Sequence, residues 1–94
     1  MDTVTILSLV KARIGISSNA RDTYILSIAE SIIKELEDEK GIILKPDNMN
    51  HVMFIVDYAT WRYQNRDGSK GLPRHLQFRM HNLIIHNGGG NNVV

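Results

Sequence analysis

Ile25, Ile28, Ala29, Ile32, Ile33 and Leu36 recur at alternating intervals of three and one residues, and this run constrains the fold more than any other feature of the chain. Such spacing stripes one side of a helix. The predicted helix runs to about residue 40, with Glu30, Lys34, Glu37 and Asp38 on its other face and Gly41 as its stop. A shorter helix is predicted over residues 3–14, where Ile6, Leu7, Val10 and Ile14 share a face, Asp2 can cap the start and Gly15 offers a left-handed stop. Ser17, Ser18 and Asn19 between the two form a polar turn supplied with capping residues.

Ile42, Ile43 and Leu44, ahead of Pro46, are too few for a helix and read as an extended, buried connector, with Asp47 or Asn48 capping the next helix. That third helix is predicted over residues 49–66. Met49, Val52, Met53, Val56, Ala59 and Tyr63 project to one side of it, and Phe54, Tyr58 and Trp61 to nearly the opposite side. After the polar loop 66–71, Pro73 suits a first helical position, and a fourth helix runs to about His86 with Leu76, Met80 and Leu83 as an inner row. The expected fold is therefore all-α, a small bundle of about four helices over residues 1–86. Residues 87–94 contain three glycines, three asparagines and two valines, a composition expected to form a flexible C-terminal tail. Ninety-four residues with 43% hydrophobic content support one core and a single domain.

The absence of cysteine excludes disulfides, thiolate nucleophiles and the common structural zinc sites. No apolar run approaches the roughly 18–20 residues that span a bilayer, and the N-terminal stretch is broken by Thr5, Ser8, Lys11 and Arg13, so neither a signal peptide nor a membrane segment is expected. The formal net charge is +1 but unevenly spread: residues 1–47 hold six Lys/Arg against eight Asp/Glu, and residues 48–94 five against two.

Candidates for chemistry are sparse. His75, His81 and His86 are spaced by six and five residues, which puts no two on one helix face as zinc ligands, and His51 lies on another helix; all four read as surface or interface residues. Glu35, Glu37, Asp38 and Glu39 read as a solvated helix end without the apolar enclosure that tunes a catalytic carboxylate. Ser17 and Ser18 lack a nucleophile elbow, and the triple glycine 88–90 has neither the preceding strand nor the Gly-Lys-Ser/Thr of a phosphate loop. No catalytic, cofactor or metal residues are assigned, and no enzymatic activity is expected.

Two surfaces remain. Arg62, Arg66, Lys70, Arg74 and Arg79 form a basic concentration interleaved with Trp61 and Tyr63, which can meet a nucleic-acid backbone or simply be solvated. Phe54, Tyr58 and Trp61 either complete a core beneath the first helix or, with Phe78 and Ile85, form an interface.

The order of these features resembles the small head-tail connector proteins of long-tailed bacteriophages and prophages. The likeness covers nearly the whole chain. It rests most on Trp61, Arg62, Tyr63, Gln64, Asn65 and Arg66 closing the third helix and on Leu72 and Pro73 opening the fourth, whose continuation to Gly90 is similar to the terminal segment of connectors from Gram-positive hosts. The resemblance implies a virion protein made in the host cytoplasm that forms a ring of about a dozen subunits on the portal. Such a ring extends the DNA channel and docks the stopper or tail-completion protein, without a cofactor. It also implies that the tail, ending in Val93 and Val94, reaches toward the portal, and that residues between Arg62 and Arg79 suit a channel lining. A small helical DNA-binding regulator from a mobile element is the alternative, disfavoured by a connection between the last two helices longer than a helix-turn-helix allows.

Overall fold

The computed structural model describes residues 1–66 and 71–87. Among them are four helices: α1 (Thr3–Ile14), α2 (Asp22–Lys34) continued by a π-helical turn (Glu35–Glu39), α3 (Met49–Gln64) and α4 (Arg74–Asn87). No strand accompanies them, and the all-α bundle read from the periodicity is the fold. No helix among the described residues is long and apolar enough to cross a membrane.

The ends of α1 are set by two residues. The Asp2 carboxylate accepts from the backbone N–H of Val4 at 3.0 Å, filling a donor that an opening helical turn leaves unpaired. Gly15 sits at φ +88° and the Ile16 N–H returns to the Lys11 carbonyl at 3.0 Å, a left-handed closure that a β-carbon would strain.

The start of α2 differs from expectation. Its N-cap is Arg21, whose side chain makes no capping bond, so Ser17, Ser18 and Asn19 do not cap the helix. The end is held instead by longer-range contacts. Lys11 lies 2.8 Å from the Asp22 carboxylate, and Arg21 donates to the Tyr63 hydroxyl at 3.0 Å. The far end is also irregular: the α-helix stops at Lys34 rather than near residue 40, and the Lys40 N–H reaches back five residues to the Glu35 carbonyl at 3.1 Å. This wider turn keeps Leu36 buried while Gly41, at φ +67°, turns the chain away.

α3 is the central element. It packs against α1, α2 and α4, whereas α4 packs against α3 alone. Its buried residues accordingly occupy most of its circumference: His51, Val52, Phe54, Ile55, Val56, Tyr58, Ala59, Thr60 and Tyr63. That corrects the interface reading of Phe54 and Tyr58, which are core residues, and Trp61 is half-buried against the same core. The two apolar sides of α3 are each covered by a helix of its own chain. Met49, at the first helical position, is exposed rather than part of the inner row, and α3 ends at Gln64 rather than 66. In the connector only Ile42 is buried; Ile43 is exposed, its N–H bonded to the Asn87 carbonyl at 2.8 Å. Asn87 thus belongs to α4 and not to a tail.

Candidate functional site

α4 buries Leu76 and Met80 against α3, with Leu83 partly covered, which is the inner row read from its sequence. Its outward side carries Arg74, Phe78, His81 and Ile85, all exposed, at intervals of three and four residues that align them along one face. Phe78 and Ile85 are 64% and 57% exposed. Of the residues expected at an interface, these two are the exposed ones: Phe54 and Tyr58 are buried, Trp61 is half-buried, and Val93 and Val94 lie outside the described residues. α4 contains no Asp or Glu, so this face is apolar with a basic edge.

The basic surface is also redistributed. Arg62 lies over the Tyr58 ring, 4.8 Å from its centroid, and donates to the Tyr58 hydroxyl at 2.8 Å and to Glu35 at 3.3 Å. The Tyr58 hydroxyl itself donates to Glu35 at 3.1 Å. Burial, and then the neighbouring carboxylate, push the Tyr58 phenol above its ordinary pKa, against the opposing pull of Arg62, so it stays a protonated donor. Glu35 is therefore not part of a solvated acidic run; it is a half-buried acceptor joining the π-helical turn to α3. The arrangement is a clamp, because all three polar groups are occupied by one another.

A second clamp centres on Asp57. One of its oxygens accepts from Arg13 of α1 and the other from Arg79 of α4, each at 2.6 Å. Burial would raise the Asp57 pKa, but the two guanidinium bonds outweigh it and hold the carboxyl below its ordinary value. Arg79 also lies 5.4 Å from the Phe54 ring centroid. Arg62 and Arg79 are thus neutralised within the fold. Arg66 stacks over Tyr63 at 4.8 Å, and Arg74 is exposed; among the described residues neither has a carboxylate within salt-bridge distance. Lys70 lies outside the described residues.

A cleft of about 380 Å³ opens between the first turn of α3 and the last turns of α4, lined by Asn50, His51, Phe54, Asn82, Leu83 and His86 among others. His51 is 1% exposed, which corrects its reading as a surface residue. Its Nδ1 accepts from the Lys45 backbone N–H at 3.0 Å, so the neutral ring carries its proton on Nε2. Nε2 is buried without a hydrogen-bond partner. Burial, followed by the charge of Lys45, lowers the His51 pKa below its ordinary 6.5, more than Asn87 and Asp47 raise it.

Stability should therefore depend on pH. Below about pH 6.5 the unfolded chain binds a proton at His51 that the folded protein does not, so this contribution to stability is present above that pH and is lost as pH falls through the folded pKa. Urea midpoints measured at pH 7.5 and 5.5 are expected to fall on acidification. His51→Asn should flatten that fall, its side-chain oxygen replacing Nδ1 as acceptor; an unchanged slope would assign the acid sensitivity elsewhere.

Among the described residues no three His, Cys, Asp or Glu side chains gather as a metal-binding group. Sequence reading missed Asp57, Glu35 and His51 as organising residues. Asp57 had one available signal, being the sole acidic residue of α3. No family model matches the chain, and neither a curated protein nor a solved structure matches it.

Proposed function

We propose that the protein is a phage head-tail connector, a structural adaptor that forms a ring on the portal, continues the DNA channel and receives the stopper or tail-completion protein. The observation that carries this reading is the one-sided packing of α4. Two large apolar residues, Phe78 and Ile85, stand exposed two turns apart on a helix that packs against no other helix than α3, an apolar row open to a partner. The resemblance of the Trp61–Arg66 and Leu72–Pro73 segments to connectors supplies the identity of the assembly. A DNA-binding regulator gains less support, because two of its five basic residues, Arg62 and Arg79, are already paired with carboxylates.

The test is mass in solution by light scattering coupled to size exclusion, across a wide protein concentration range and with purified portal. The expected result is a closed ring of about a dozen subunits, alone or on the portal. A monomer that neither self-associates nor binds portal at high concentration would sink the proposal, and a salt-sensitive complex with duplex DNA would favour the regulator.

A further inference from the structure

A ring of identical subunits requires two different faces on each copy that fit one another. The outer side of α4 is one exposed face. A second lies where the start of α1 meets the end of α2: a groove of about 380 Å³ lined by Met1, Thr3, Glu30, Ile33, Lys34, Glu37 and Asp38. It shares no residue with α4. Three carboxylates line it against two cations, the Lys34 ammonium and the α-amino group of Met1. Ile33 is the partly buried apolar residue of the groove.

The two faces are complementary in both respects that matter for docking. α4 offers a row of Phe78 and Ile85 with Arg74 at its start and no carboxylate anywhere along it. The groove offers apolar Ile33 and Met1 with Glu30, Glu37 and Asp38 at its edges. Two copies joined groove to groove would oppose carboxylates, and two joined α4 to α4 would leave Arg74 without a carboxylate to meet, whereas the head-to-tail pairing brings unlike charge together while covering the exposed aromatic ring.

We infer that α4 of one copy docks through Arg74, Phe78 and Ile85 into the α1–α2 groove of the next, with Arg74 facing Glu37 and Asp38; the inference rests on the ring reading above and names its interface. Lys34 already reaches Asp38 at 3.7 Å across solvent-exposed side chains, so that carboxylate is weakly held and free to exchange partners.

The chain has no cysteine, which makes site-specific crosslinking clean. His81→Cys, on the same exposed row of α4, and Thr3→Cys are prepared separately, leaving Arg74, Phe78, Ile85 and every carboxylate in place, then mixed under conditions of assembly and treated with a short bismaleimide. The mixed 81–3 product is expected to exceed either self-paired product about tenfold, where random encounter would favour it only about twofold. In a second measurement Arg74→Glu and the double variant Glu37→Arg/Asp38→Arg are each expected to lose assembly alone and to regain it when mixed, since every junction in the mixture again joins opposite charges. Random or self-paired crosslinking, or no rescue on mixing, overturns the pairing. If a ring of the expected mass persists through that failure, the connector reading stands and only this interface falls. A monomer at every concentration, with and without portal, removes both.

Discussion

Phe54→Ala is expected to destabilise the protein by about 3–5 kcal/mol, a large fraction of the roughly 5–15 kcal/mol that holds a small domain together. The ring is 1% exposed, stands edge-on to Tyr58 with centroids 5.8 Å apart, and carries the Arg79 guanidinium on its face. Truncation leaves a cavity between α3 and α4 and removes the surface on which Arg79 rests while it holds Asp57. Phe78→Ala provides the contrast. Because that side chain is mostly exposed, its loss should change stability by no more than about 0.5 kcal/mol while weakening self-association. Urea denaturation of both variants separates a core phenylalanine from a surface one. Equal costs would mean that α4 is not seated as described.

The second large effect is expected at Asp57. Asp57→Ala leaves Arg13 and Arg79 without the carboxylate that each meets at 2.6 Å, and should cost about 1–2 kcal/mol. The figure sits well below that for an enclosed pair because the Asp57, Arg13 and Arg79 side chains keep 22%, 43% and 36% of their exposure and water can take up much of the loss. Asp57→Asn, which retains one acceptor oxygen, should lose about half as much. The wild-type carboxyl titrates below its ordinary 3.8, so its contribution is complete above that pH and disappears as pH falls through the folded value. Acid unfolding of wild type should therefore show two windows, one near and below pH 6.5 from His51 and a lower one to which Asp57 contributes, with the lower window diminished in Asp57→Ala to what Asp2, also held below its ordinary value by its bonds to Thr5 and Val4, retains. A variant as stable as wild type at pH 7 would show that the pairs are too solvated to matter.

Local order was legible at the ends of α1 and along the buried face of α2, though not at the start of α2, where the polar residues 17–19 supply no cap. Asp2 and Gly15 bracket α1 as their side-chain chemistry dictates, and the Ile25–Leu36 stripe marks the buried face of α2. The π-helical turn was not legible, because Glu-Leu-Glu-Asp-Glu has the composition of ordinary helix; in the fold the turn carries Leu36 into the core and Glu35 against Tyr58. The two apolar sides of α3 were visible, but periodicity does not say what covers them, and a second helix of the same chain covers them as well as another subunit would. The clamps escaped for a related reason. Glu35 finds its partners 23 and 27 residues away, and Asp57 finds Arg13 at a separation of 44, distances across which sequence spacing carries no directional information.

Asp57 has one more consequence, for how motion at one side of the molecule is felt at another. α1 and α4 do not pack on each other, yet each lends a guanidinium to the same carboxylate, one per oxygen. Whatever shifts α4 along α3 draws Arg79 away and leaves Arg13 with a larger share of the charge; whatever unseats α1 does the reverse. The two outer helices are thus coupled thermodynamically without contact, through competition for a single anion on the helix between them.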